Sequence, residues 1–341
     1  MRVVNTLYVT EHQARVGLQK GNLVVVHDQQ KTRVPIETLE GVVLLGGSQI
    51  SSQALGRCVE RGVRVCALSR SGRLRWTVGG PTKGNVLLRM AQLRAADDPA
   101  RTARVARWIV AGKLQNCRRM ISRWLWDADG AARWVLASER DAIADRLQAL
   151  AQATDGHTIR GIEGDGTRRY FKCLGTHLTE AGAELGFTSR TRRPPRNEVN
   201  ALLSFYYGLV LAEAVGALDA VGLDPQVGFL HRPRPGRPSL ALDLIEEFRP
   251  VLADRLTVAL VTRRTIRAEH FVRTAGGAVY LNDEGRKLAL RSYEEFRGGD
   301  VTHPLLDRDV PRWALPTIQA TLLARHLRGD LVTYPPFVLA A

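Results

Sequence analysis

An α+β fold, with a small N-terminal β-rich domain followed by a larger all-helical catalytic domain, is predicted from three observations. Residues 1–80 carry short β-branched runs separated by turn residues. A break rich in glycine and proline follows at Gly79-Gly80-Pro81-Thr82-Lys83-Gly84. Beyond it, apolar residues recur at helical spacing. The expected units are 1–80, a linker at 81–87, and 88–341. The chain is 341 residues long and 45% hydrophobic, which suits two domains better than one.

In the first unit, 7–10, 14–18 and 22–27 read as strands, with turns at Gly21-Asn22 and at 28–31. Residues 41–46 form a continuous apolar run, the pattern of a buried strand. Ser51-Ser52 then caps a short helix ending near Arg61. Strand patterning returns at 63–68 and 74–78.

The second unit opens with Asp98 as N-cap and Pro99 at the first helical position. Val105, Trp108, Ile109, Leu114, Met120, Ile121 and Leu125 keep the helical period as far as Trp126. Further helices are expected at about 131–152, 158–178, 197–221, 240–264, 282–297 and 314–328. Residues 271–273 and 278–281, joined through Gly276-Gly277, read as a hairpin, and Asn282 caps the helix after it. There is no internal repeat.

Charge is lopsided: 49 Lys+Arg against 34 Asp+Glu, a formal +15. A polyanion, and nucleic acid in particular, is the natural partner. Cys58, Cys66, Cys117 and Cys173 form no CxxC pair. They read as small buried hydrophobes in a reducing cytoplasm. The N-terminus lacks signal-peptide character, and no run reaches the ~18 apolar residues of a membrane span. A cytoplasmic protein without membrane contact is expected.

Chemistry concentrates in three places. Gly228-Phe229-Leu230-His231 places one histidine upstream of Asp243, Glu246 and Glu247. On a regular helix these three acids fall within about 100° of arc, so all three could approach one cation. The alternative is a solvated acidic face paired with Arg249, Arg255 or another chain segment. A lone histidine in such a stretch is also commonly a satisfied core or loop residue. The third element is Glu163, set among Gly161, Gly164 and Gly166 in a helical region. Asp165 competes with it for a ligand role. A nitrogen and several carboxylate oxygens suit a hard divalent cation such as Mg²⁺ or Mn²⁺. Candidate phosphate contacts are Arg168, Arg192 and Arg193, the proline-rich loop with Arg232, Arg234 and Arg237, then Arg263, Arg286 and Lys287.

Taken in order, these elements resemble the CRISPR-associated integrase of spacer acquisition, CRISPR-associated protein one. The matching text runs through Arg160-Gly161-Ile162-Glu163-Gly164, Gly222-Leu223-Asp224-Pro225 and Gly228-Phe229-Leu230-His231. It continues through Leu240-Ala241-Leu242-Asp243-Leu244-Ile245-Glu246-Glu247-Phe248-Arg249-Pro250. Asn5 to Val9 and Tyr334-Pro335-Pro336-Phe337 look like the type I-C branch. The resemblance implies that Glu163, His231 and Glu246 bind the metal, with Asp243 as a further ligand or a tuning charge. All four then count as catalytic. Many family members carry Asp where this chain has Glu246. The resemblance further implies a homodimer formed through the β domains, and a small ferredoxin-like adaptation partner that completes a heterohexamer. The implied substrates are double-stranded DNA, both spacer precursor and CRISPR repeat. Two other readings compete: a basic DNA scaffold without chemistry, and a metal-dependent hydrolase of small phosphate esters.

Overall fold

The computed structural model describes residues 5–80, 86–181, 183–192 and 194–340. Most of the expected linker at 81–87, and Arg193, lie outside the described residues.

The first unit holds two four-stranded sheets. In one, β1 (Asn5–Val9), β5 (Leu39–Leu45) and β7 (Arg64–Leu68) run parallel, and β8 (Leu74–Val78) is antiparallel to β7. In the other, β2 (Arg15–Gln19), β3 (Asn22–His27) and β4 (Gln30–Pro35) form an antiparallel meander, and β6 (Gln49–Ile50) lies parallel to β2. Strand β4 falls partly in the stretch expected to be turn. Its exposed, polar sequence has no apolar alternation to reveal it, because it is an edge strand with mostly solvent-facing side chains. Helix α1 (Ser52–Glu60) starts where expected: the Ser51 hydroxyl accepts from the Ala54 N–H. Val9, Val16, Leu23, Val42 and Val65 are buried together in this unit.

The second unit is mostly helical. Helix α2 (Val86–Asp97) leads to α3 (Pro99–Trp124), whose N-cap Asp98 accepts from Ala100 and Arg101 N–H. Helices α3, α4 (Gly130–Gln152) and α5 (Gly156–Glu180) pack against one another. Helix α6 (Glu198–Val221) is apolar and long enough to cross a membrane by composition alone. Most of it is nonetheless buried inside the protein, through Leu202, Phe205, Tyr206 and Leu209. It is therefore a core helix.

The expected helix over 240–264 is not continuous. It is split into α7 (Ser239–Leu244), a 3₁₀ turn at Ile245–Glu247, a wide π turn at Arg249–Asp254, and α8 (Arg255–Thr262). Pro250 has no N–H to give to the carbonyl of residue 246, so the regular ladder fails there. The expected hairpin forms as β9 (Phe271–Arg273) and β10 (Val279–Leu281), followed by α9 (Asp283–Gly298) with Asn282 as N-cap. A second hairpin, β11 (Asp300–His303) with β12 (Arg308–Pro311), precedes α10 (Leu315–Arg328). The second unit is thus not all-helical, since two short hairpins interrupt it.

Candidate active site

Helix α5 carries Glu163, and α3 crosses it closely. The close crossing needs Gly166, where a Cβ would come within 2.4 Å of the Leu114 side chain. It brings Lys113, which periodicity had placed only as one more residue of α3, against Glu163. The buried Lys113 ammonium contacts Glu163 Oε1, and it lies 2.6 Å from Glu246 Oε2. Thr167, one turn on from Glu163, donates to the same Glu163 oxygen at 2.9 Å.

The loop carrying His231 is laid directly over α7. Gly228 permits this, since a Cβ there would meet the backbone of Ser239 and the carboxylate of Asp243, both within 3 Å. Asp243 is fully buried and its oxygens are engaged. Oδ2 accepts from the N–H groups of Phe229 and Leu230, and Oδ1 from the His231 N–H at 2.9 Å. Oδ1 also lies 2.7 Å from His231 Nδ1. The second imidazole nitrogen, Nε2, is left on the cleft side, 3.9 Å from Glu246 Oε1.

The three acids expected on one helical face therefore point three ways, because the 3₁₀ turn changes their angular spacing. Asp243 faces back onto the His231 loop, which engages both of its oxygens. Glu246 faces the cleft. Glu247 faces away from it: Oε1 accepts from the Tyr334 hydroxyl, and Oε2 accepts from Gln319 Nε2 and the Phe337 N–H. Burial pushes the Glu247 carboxyl up to about 8 against these hydrogen bonds.

Electrostatics separate Glu246 from its neighbour. Burial would raise its carboxyl too, but Arg249, Lys113 and His231 outweigh burial and hold it at about 2. Arg249 Nη1 lies 3.1 Å from Glu246 Oε1. Burial would also strip Lys113 of its proton, and the two carboxylates, Glu246 first, keep it charged. Arg249 and Arg190 both stack on the Tyr207 ring, which fixes the back wall.

Glu163, His231, Glu246 and Arg249 line one cleft of about 950 Å³, with Arg168, Lys172, Arg190 and Arg192 along its walls. Asp165, the competitor of Glu163, is instead held by Arg168 and Arg169. Among the described residues, no three His, Cys, Asp or Glu side chains are arranged to hold one metal ion. The Lys113 ammonium stands between Glu163 and Glu246. The donor set still fits a hard divalent cation: two carboxylates and one imidazole nitrogen converge on the cleft. Glu246 Oε2 supports this, because the buried oxygen is already matched by a positive charge, the Lys113 ammonium at 2.6 Å.

The other basic candidates divide. Arg232, Arg234 and Arg263 are exposed, and Arg237 is half-buried. Arg286 is buried, donates to the Leu281 carbonyl and pairs with Asp283, so it is not a surface phosphate contact. Lys287 reaches Glu11 in the β-rich unit at 2.7 Å. Lys113 is the site residue that pattern reading missed, whereas Arg249 was named there as a partner of the acids and does pair with Glu246. The available signal for Lys113 was its place among Val110, Leu114 and Cys117 on the apolar side of α3, as one of only six lysines in the chain.

Comparison with known proteins gives the family. Residues 7–295 match the family model described as CRISPR associated protein Cas1. A CRISPR-associated endonuclease Cas1 of Rhodospirillum rubrum is 43% identical over 344 residues, covering 98% of each chain. A Chlorobaculum tepidum endonuclease of the same name is 40% identical, again over 98% of each. Two solved structures share the fold. A casposase bound to integration product has a TM-score of 0.84 at 20% identity, covering 97% of this chain and 93% of that one. A Cas6-RT-Cas1–Cas2 complex has a TM-score of 0.81 at 22% identity, covering 100% of this chain and 36% of that one. The family match spans most of the chain and the relatives span nearly all of it, so the chain belongs to the CRISPR-associated Cas1 family.

Proposed function

We propose that this chain is a CRISPR adaptation endonuclease and integrase that joins the 3′-hydroxyl ends of spacer-precursor DNA to the CRISPR repeat. The observation that carries the reading is the convergence of Glu163, His231 and Glu246 at the base of one cleft with arginines and a lysine along its walls. Glu163, His231 through Nε2, and Glu246 would hold a divalent cation, Mg²⁺ or Mn²⁺. That ion supplies Lewis-acid stabilisation of a phosphate.

The remaining work falls to the protein. Asp243 holds His231 in one orientation by accepting at Nδ1, which leaves Nε2 for the cleft. Arg249, at the cleft floor, is placed to offset charge that builds on the phosphate oxygens. In the joining step the precursor's 3′-oxygen forms a new bond to a repeat phosphorus, and the bond from that phosphorus to the repeat's own 3′-oxygen breaks. The attacking hydroxyl loses its proton to solvent and the leaving oxygen gains one. Water in place of the hydroxyl gives strand cleavage. Arg168, Arg192, Arg232, Arg234, Arg237 and Arg263 supply backbone affinity without sequence preference. Lys287 belongs with them, although its ammonium already has a partner in Glu11.

The working assembly we propose is a homodimer joined through the β-rich units, bridged by a small ferredoxin-like partner into a heterohexamer. The fold likeness to a chain of the Cas6-RT-Cas1–Cas2 complex supports such a partner.

The test is strand joining. Labelled duplex with free 3′-hydroxyls is mixed with supercoiled plasmid carrying a CRISPR repeat, in Mn²⁺ or EDTA, with and without the partner. Label should pass to the plasmid only with metal, and not with Glu163→Ala or His231→Ala. Wild type that binds DNA but neither joins nor cuts it under any of these conditions would favour a scaffold.

A further inference from the structure

A second basic site lies outside the cleft. Arg255 opens α8, Arg312 follows β12, and Arg123 stands in the last turn of α3. The Arg255 guanidinium carbon lies 5.8 Å from the centre of the Phe296 ring, and that of Arg312 lies 4.7 Å from the same ring. One aromatic ring therefore fixes two guanidinium groups, and none of these four residues lines the catalytic cleft.

The group lacks counter-charge. Among the described residues, none of Arg123, Arg255 and Arg312 is within ion-pair distance of a carboxylate, whereas many other arginines here are paired. The side chains of Arg255 and Arg123 make no hydrogen bond to the protein among those residues. The Arg312 side chain makes one, to the Phe296 carbonyl at 3.0 Å. Asp300 is the nearest acid to act on Arg312, from beyond ion-pair distance. Burial, then Arg123 and Arg312, push the Arg255 guanidinium down to about 10. A ring face offsets only part of a cation's charge. Arg255 and Arg312 are half-buried on one ring, and the exposed Arg123 is near enough to repel both. Like charges so placed favour an anion joining them, and planar guanidinium forks are shaped for tetrahedral oxyanions.

We propose that Arg123, Arg255 and Arg312, organised on Phe296, form a phosphate-binding site separate from the catalytic cleft. The phosphate could belong to a DNA backbone or to a small free anion. The first source rests on the proposed DNA function, whereas the anion chemistry does not.

The experiment uses the full chain, with Arg255→Gln, Arg123→Gln and Arg255→Lys, and with Arg15→Gln as a control on the β-rich unit. Thermal unfolding is followed while inorganic phosphate replaces chloride at matched ionic strength. Duplex DNA affinity is measured across a salt series. Phosphate should raise the melting temperature of wild type and of Arg15→Gln, and do so several-fold less in the two glutamine variants. If the source is DNA, duplex Kd rises about five- to tenfold in Arg255→Gln and the salt slope falls by about 1, with Arg255→Lys restoring the slope. A lost phosphate response with unchanged DNA binding assigns the site to a free anion. Glutamine variants that keep both the wild-type phosphate response and the wild-type DNA slope overturn the proposal. Because the phosphate arm needs no catalysis, a chain that failed to join DNA would leave it standing.

Discussion

Replacing Lys113 with glutamine removes the cation that contacts both Glu163 and Glu246. At 2.6 Å from Glu246, the pair attraction is about 6 kcal/mol at an effective dielectric constant near 20. Desolvation of the buried partners offsets part of this, and breaking a buried pair typically costs about 3–5 kcal/mol. Arg249 still faces Glu246 at 3.1 Å, so the lower end, about 3 kcal/mol, is the expected loss. With roughly 2.1 cal/mol/K of unfolding entropy per residue over 341 residues, that is a fall of at least about 4 °C in melting temperature in EDTA. Mn²⁺ should then recover more stability in Lys113→Gln than in wild type, because the ion takes the place of the ammonium between two carboxylates. Saturation at 100 times Kd adds about 2.7 kcal/mol. The assay is thermal unfolding by circular dichroism in EDTA and across a Mn²⁺ series. A variant that melts with wild type in EDTA, or that gains no more from Mn²⁺ than wild type does, would refute the reasoning.

Asp243→Asn should cost at least about 3 kcal/mol, since a buried carboxylate that accepts three backbone N–H bonds becomes an amide with one acceptor oxygen. It should also weaken Mn²⁺ binding about 10- to 100-fold by freeing His231, measured by isothermal titration. Glu247 sits near 8 in the folded chain against 4.5 ordinarily. The folded state therefore binds more protons than the unfolded state in that window, and stability falls as pH rises from about 4.5 to 8. Glu247→Gln should flatten that fall in urea titrations. Glu246, held near 2, acts oppositely: its contribution is present above 4.5 and lost as pH drops toward 2. Arg192→Gln and Arg232→Gln should each lower the slope of log affinity against log salt by about 1 for duplexes of any sequence, read by fluorescence anisotropy.

The α+β division, the Ser51, Asp98 and Asn282 caps and the 271–281 hairpin were legible because each rests on local chemistry. Strand β4 was not, because an exposed edge strand carries no apolar alternation. The placing of the acids failed for a related reason. Angular spacing on an ideal helix put Asp243, Glu246 and Glu247 together, whereas the turn before Pro250 winds irregularly and sends each to a different partner. Glu163, His231 and Glu246 do line one cleft, but only the fold reveals Lys113 between two of them, since a helical lysine has no sequence mark of burial beyond its apolar neighbours. Arg286 shows the reverse error: an arginine in a basic run was read as solvent-facing, and it is buried against the Leu281 carbonyl.

The most direct test of the account is anomalous diffraction from crystals grown in Mn²⁺. A single strong peak bounded by Glu163, His231 Nε2 and Glu246, with the Lys113 ammonium displaced from between the carboxylates, is the predicted result. Full Mn²⁺ occupancy elsewhere, with Lys113 still bridging Glu163 and Glu246, would contradict it.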